Sequence, residues 1–437
     1  MVNELRIEYT DKSVTAWGGM KLMKELVKSM GIKEFMQGLS LPVRGSNRGY
    51  NPVDIVESFM VSVWIGANRF SHSGLLRYDS VLREIFGWKQ SPSQSTFSRF
   101  FHKFSWKRNA EVFPSMQKWF FEQLTIDNIT VDLDSTVITR YGDQEGTAKG
   151  YNPSKPGRNS HHPLMAFVAE TRMVVNAWMR PGNTVALSSS KTFLDETFEI
   201  LDKKRVGLLR ADSGFFADDL LKYFEAKNLN YITAVKLFAP IKRELGASKK
   251  WISVDKGIEI CEWTATLDSW GNSRRFIAVR RDTKRLPKAS GTLLLFPEQQ
   301  TEYRYSVYVT NLDLPAMQVW TLYRQRGDAE NRIKELKADF GIDSFCLSKF
   351  WATEAAFRFT MVAYNLLSLF RQIVLRQRNH STLATLRFKC FALGAWVTAH
   401  SGKRILKLSI ARQRRSWLDG LFDIVRANQP PFTFSNA

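Results

Sequence analysis

Ile129-Thr130-Val131-Asp132-Leu133-Asp134 alternates cleanly between apolar and polar side chains. A strand turns successive side chains to opposite faces, so Ile129, Val131 and Leu133 share one face and Thr130, Asp132 and Asp134 the other. Carboxylates are disfavoured in strands, and two on one face need a reason. Downstream, Leu164–Glu170 and Met173–Met179 read as two tightly joined strands. A helix over Lys191–Lys203 precedes the strand Val206–Asp212, a helix over Phe216–Lys227 follows, and Asn230–Val235 reads as the next strand. The order β-β-β-α-β-α-β predicts an α/β fold with a partly parallel, mixed sheet under helical cover. In such sheets ligands gather at the carboxyl ends of the strands. Asp134 and Asp212 both end strands.

Outward from this core, residues 1–125 read as helical, with Leu22, Leu26, Val27 and Met30 and then Val53, Ile55, Val56 and Phe59 at helix spacing. Near the end of that region, Pro92-Ser93 reads as a helix start. The helix would expose Gln94, Ser95, Ser98, Arg99 and Lys103, small polar groups and cations of the kind a major-groove helix displays. A capped surface helix would carry the same pattern. Residues 237–313 read as a β-rich insertion, with Trp270 in the turn Ser269-Trp270-Gly271-Asn272; its tryptophans suit sheet packing or base stacking. Residues 314–349 return to the core, and 350–437 read as helical, with a basic stretch from Lys403-Arg404 to Arg414-Arg415.

A further charged stretch runs from Tyr323 to Lys337. On one continuous helix, Tyr323, Arg326, Glu330 and Lys337 would fall within about 60° of one another. A face carrying a phenol, a guanidinium, a carboxylate and an ammonium does not face a core. It suits a site that holds a metal ion and grips phosphates, although ordinary surface pairs such as Glu330–Lys334 would look the same. Asp134, Asp212 and Glu330 can then meet at one sheet edge. Three carboxylates in contact raise one another's pKa unless a cation neutralises them. Oxygen ligands without Cys or His point to Mg²⁺, with Mn²⁺ as its substitute.

Composition supplies the substrate. The chain has 437 residues, 63 Lys and Arg against 42 Asp and Glu, a net charge of +21 and a pI near 9.9. Such an excess draws a polyanion, and counterion release makes nucleic acid the fitting one. A membrane is the other polyanion. Its signs are missing: the most apolar run, Phe359–Leu375, is broken by Asn365, Ser368 and Arg371, and is shorter than the roughly 20 residues a span needs. The first residues lack a signal-peptide layout. Cys261, Cys346 and Cys390 are scattered and odd in number, so neither a disulfide framework nor a zinc site is expected, and a cytoplasmic location is.

These residues carry a family resemblance. Tyr323, Arg326, Glu330 and Lys337 match the Y-R-E-K signature of the group-four DDE transposases of bacterial insertion sequences. Asp132-Leu133-Asp134-Ser135-Thr136, Gly142-Asp143-Gln144-Glu145-Gly146, Lys149-Gly150-Tyr151, Arg210-Ala211-Asp212-Ser213-Gly214 and Glu330–Lys337 resemble its "thirteen-eighty" branch. The resemblance implies an RNase H-like sheet with Asp134, Asp212 and Glu330 as metal-binding catalytic acids; Asp132 is the alternative first ligand. It implies phosphate contacts from Tyr323, Arg326, Lys334 and Lys337. Gln94, Ser98, Arg99 and Trp270 join them as candidate DNA contacts. The implied partners are terminal inverted repeats, target DNA and a second copy of the chain in a paired-end complex. Two alternatives share the fold: a metal-dependent nuclease of resolvase type, and a transposase derivative that binds DNA without cutting. Paired acids also serve glycoside hydrolases, but a charge of +21 suits neutral sugar poorly.

Overall fold

The computed structural model describes residues 5–46, 49–126, 128–247, 250–267, 270–282, 303–376 and 380–434. Ser269 of the expected turn and residues 283–302 of the expected insertion lie outside them. The chain divides into two compact units, one of Met1–Thr125, Ile138–Thr147 and Ile333–Phe434, the other chiefly of Ile126–Val137 and Ala148–Arg332.

The second unit is built on a nine-stranded sheet. Its strands in chain order are β1 (Asn128–Ser135), β2 (Leu164–Val168), β3 (Met173–Trp178), β4 (Arg205–Ala211), β5 (Tyr231–Val235), β6 (Ile252–Asp255), β7 (Ile258–Ala265), β8 (Arg274–Asp282) and β9 (Tyr303–Thr310). The sheet order is β6-β7-β8-β9-β5-β4-β1-β2-β3. β1, β4 and β5 are parallel, whereas β1–β2 and β2–β3 are antiparallel. This is the mixed sheet expected from the alternation around Asp132, with helices Ser190–Leu201 and Asp218–Ala226 as crossovers. The β-only segment is inserted in sequence but not set apart in space. Its described strands extend the same sheet, because β9 pairs antiparallel with β5, from Thr310 opposite Ile232 to Val307 opposite Val235.

Helix Ala316–Arg324 closes one face. Val319 and Trp320 are buried against Leu208, Ile232, Ile260, Ile277, Val279 and Tyr308, which come from five strands. Burying such side chains contributes on the order of 1.5–3 kcal/mol each. Asp132 and Asp134 consequently lie on a covered face, at 0% and 5% exposure, where simple alternation would leave that face wet.

The first unit is helical around Phe350–Leu369, a helix buried along nearly its whole length. Trp64 donates its indole N–H to Ala363 O at 3.0 Å, Asn365 donates to Gln117 at 2.9 Å, and Phe113 meets Phe359 edge-on at 4.9 Å. The apolar run is therefore a core helix, and no helix among the described residues is long and apolar enough to cross a membrane. One expectation is corrected: the C-terminal region is not wholly helical. β10 (Gly394–His400) and β11 (Lys403–Ser409) form a hairpin, and the basic stretch begins on its second strand.

Candidate active site

Parallel pairing of β1 with β4 sets Asp132 opposite Arg210 and Leu133 opposite Ala211. The next residue of each strand then emerges at the carboxyl edge, as Asp134 and Asp212. The two aspartates of β1 have different partners. Asp132 is gripped in two-pronged fashion by Arg210, with Nε to Oδ1 at 2.6 Å and Nη2 to Oδ2 at 2.9 Å. Arg210 also donates to Leu322 O at 2.5 Å, so this buried pair fastens the covering helix to the sheet. Asp134 faces Arg326 instead, with Nη2 to Oδ2 at 2.9 Å.

The stretch Tyr323–Lys337 is not one helix. Ala316–Arg324 ends, Gln325 and Arg326 make a tighter turn, and a second helix runs Gly327–Ala338. The turn closes through Arg326 N to Tyr323 O at 2.9 Å and Ala329 N to Arg326 O at 2.9 Å, three-residue spacings of 3₁₀ type. This rotates Arg326 off the expected exposed stripe, to 3% exposure. Its guanidinium reaches Leu133 O at 3.2 Å, Asp134 at 2.9 Å and Glu330 Oε1 at 3.6 Å. Tyr323 is likewise turned in: its hydroxyl donates to Ala211 O at 3.3 Å and its ring lies 4.5 Å from that of Tyr308. Glu330 stays exposed, and its helix is held to the sheet by Arg332, which donates to Val168 O and Ala169 O, and by Arg172 against Asp328 at 3.6 Å. Lys334 is exposed and Lys337 half-buried; both belong to the part of that helix assigned to the first unit.

The Asp134 carboxyl feels the charges of both other acids. Burial pushes the Asp134 carboxyl up to about 6; Arg326 and the N–H of Ser135 pull it down, while Asp212 and Glu330 push it further up. Burial works against the charge of Arg326, but Asp134, then Tyr323, Asp212 and Asp132, hold its pKa above the ordinary value. Arg326 thus serves as the counter-ion of the acids, and its Nε–H meets no acceptor among the described residues. No group of three or more His, Cys, Asp or Glu among the described residues is spaced to hold a metal ion. The donor set nevertheless fits a hard divalent cation: carboxylate oxygens only, one of them with a pKa raised by burial and by the two other acids.

Two arginines of this unit had no role assigned from the sequence. Arg210 stood in a quoted motif without a role. Arg180 donates to the carbonyls of His162, Val185, Ala186 and Ser188, folding the 180–188 loop. That loop touches the Asp212 turn, since a Cβ on Gly214 would meet Ala186 Cβ at 3.0 Å. Asp212 itself caps this turn, accepting from Gly214 N at 2.8 Å. Trp270 is half-buried, 4.8 Å from Phe216 and beneath Arg274, which Asp218 and Glu225 hold in place. The Gly142–Gly146 motif has a structural task in the first unit: Glu145 accepts from Phe350 N at 3.0 Å and caps the core helix.

Residues 2–429 match the family described as transposase DDE domain group 1. The chain belongs to that family. It is a transposase, and so in general terms an enzyme that cuts and transfers DNA. Among solved structures, a piggyBac transposase in a synaptic complex with hairpin DNA is similar over 85% of this chain and 78% of that one, at 13% identity and a TM-score of 0.46. No curated protein matches.

The helix expected to read DNA lies in the first unit of this transposase. It spans Gln94–Phe101 and is capped by Ser93, whose hydroxyl accepts from Thr96 N. Gln94 and Arg99 are exposed and Ser98 is half-buried. Clefts of about 400 Å³ and about 440 Å³ flank it, the first lined by Arg44, Tyr50, Arg99 and Lys103, the second by Arg77, Arg83 and Arg99.

Proposed function

We propose that this transposase binds the terminal inverted repeats of an insertion sequence, cleaves at the element ends and joins the freed 3′-hydroxyls to target DNA. The observation that carries the reading is the pairing of one buried guanidinium, Arg326, with both Asp134 and Glu330 at the carboxyl edge of the sheet, beside the adjacent strand end that carries Asp212. Asp134, Asp212 and Glu330 are the residues that would hold the magnesium ions, with manganese expected to substitute. When bound, the ions supply activation of a water or 3′-hydroxyl and stabilisation of the leaving oxygen.

The protein's own contribution is positional. Asp132 is engaged by Arg210, which favours Asp134 as the first ligand. Arg326 neutralises Asp134 and orients Glu330, and Tyr323 supports the same turn. Gln94, Ser98 and Arg99 are proposed to read the element ends, while Lys334, Lys337 and Trp270 are proposed as further DNA contacts. Two copies of the chain would hold the paired ends.

The test is an excision and integration assay on a marker flanked by the element ends, with wild type and Glu330→Gln, in Mg²⁺ and in EDTA. Joined products from the wild type in Mg²⁺ alone are expected. Cutting without joining would point to a nuclease of the same fold. Binding without chemistry would point to a protein that retains only its DNA affinity, and a fully active Glu330→Gln would overturn the site assignment.

A further inference from the structure

Between Glu354 and Asp419 the sequence carries no carboxylate and twelve Lys or Arg residues. Several are engaged within the first unit: Arg358 with Glu354, Arg371 with Glu335, Arg404 with Glu84, and Arg387 with the carbonyls of Val63, Trp64 and Asp339. Lys403, Lys407, Arg412 and Arg415 are exposed, and the first two stand on hairpin β10–β11.

That hairpin is a rigidly mounted ribbon. Its register runs from Gly394 opposite Ser409 to His400 opposite Lys403, around a two-residue turn in which Ser401 (φ 49°) and Gly402 (φ 74°) are both left-handed. One face is anchored. Ala395 is buried and pairs with Thr15 through hydrogen bonds of 2.8 and 2.9 Å, Arg404 meets Glu84, and a Cβ on Gly18 would run into Ala395 and Leu408. By alternation the other face carries Trp396, Thr398, His400, Lys403, Ile405 and Lys407. Lys12 adds its ammonium 3.8 Å above the Trp396 ring.

Lysines on an edge strand can simply prevent edge-to-edge pairing. That function accounts for Lys403 and Lys407. It does not account for the missing carboxylates around them, or for Arg412 and Arg415 beyond the strand. A two-stranded ribbon fits the major groove of duplex DNA. We propose that the outer face of β10–β11, with Arg412 and Arg415, is a duplex-DNA contact of this chain, its cations set against the phosphates bordering the groove. The proposal rests on the reading of the chain as a DNA-binding transposase and adds an element outside both the acid site and helix Gln94–Phe101.

The test measures binding of the full-length protein to a labelled duplex by fluorescence anisotropy across a salt series. Wild type is compared with Lys403→Ala/Lys407→Ala and with Arg412→Ala/Arg415→Ala. Each double variant is expected to lose about tenfold in affinity, and its log K against log salt slope should flatten by about 2. Their melting temperatures should stay at the wild-type value, because all four side chains are exposed. Unchanged slopes with wild-type binding intact would overturn the ribbon contact while leaving the transposase reading standing. Aggregation of the lysine variant with undiminished affinity would assign the lysines to edge protection and equally overturn it. Absence of wild-type binding to any duplex at low salt would overturn both.

Discussion

Asp132 and Asp134 sit two residues apart on one strand face and are held in opposite ways. Asp132 is a structural anion, and removing its charge leaves Arg210 buried and unmatched. Asp132→Asn is expected to cost about 3–5 kcal/mol in chemical denaturation. Asp134→Asn should abolish strand joining. The pH dependence follows from the same burial. The folded pKa of Asp134, about 6, lies above the ordinary value for an aspartate, so the folded chain binds this proton more tightly than the unfolded one. Its contribution is full below about pH 4 and is lost as pH rises through 6, on the order of 2–3 kcal/mol in all. Melting between pH 4 and 8 should show this loss in the wild type and not in Asp134→Asn. Mg²⁺ should raise the melting temperature more at pH 8 than at pH 5, since the ligand must be ionised. The strand ends that carry Asp134 and Asp212 were legible in the alternation. The inward turn of Arg326 was not, because the spacing from Tyr323 to Lys337 fits one unbroken helix and does not report a 3₁₀ turn.

At the scale of elements, helix Ala316–Arg324 governs the site because it covers the acid face and leads directly into Arg326. Trp320 is 2% exposed within the cluster that spans five strands. Trp320→Ala is expected to destabilise the protein by about 3–5 kcal/mol and to lower joining by loosening the turn that follows. Hairpin β10–β11, the departure from the helical C-terminal region, had a signal in Ser401-Gly402 between two short alternating runs. The region was read as helical throughout instead. The Gly142–Gly146 motif shows the reverse case, a pattern legible in sequence whose task was hidden. Gly146 has φ 78°, and a Cβ there would lie 2.4 Å from the Phe350 ring. Gly146→Ala should therefore destabilise the first unit by more than about 1 kcal/mol, measurable by thermal melting.

On the scale of the whole chain, the order of segments along the sequence differs from their grouping in space. The sheet unit is nearly continuous in sequence, whereas the helical unit is assembled from Met1–Thr125, a short central piece and Ile333–Phe434. Periodicity marks each helix but cannot tell that residues 22–121 share a core with residues 350–369. An isolated fragment of residues 1–125 is expected to expose Phe59, Trp64, Phe113 and Phe120, all at most 2% exposed in the full chain, and to bind a hydrophobic dye instead of melting cooperatively. Circular dichroism and dye fluorescence on that fragment would check it. The nesting bears on how the protein is born. A ribosome that has finished helix Gln94–Phe101 has not yet made the helix that completes its surroundings, so the proposed end-reading surface matures only after the acids have already been translated. A prematurely terminated chain would then lack a finished reader, and could not occupy the element's ends in place of the intact enzyme.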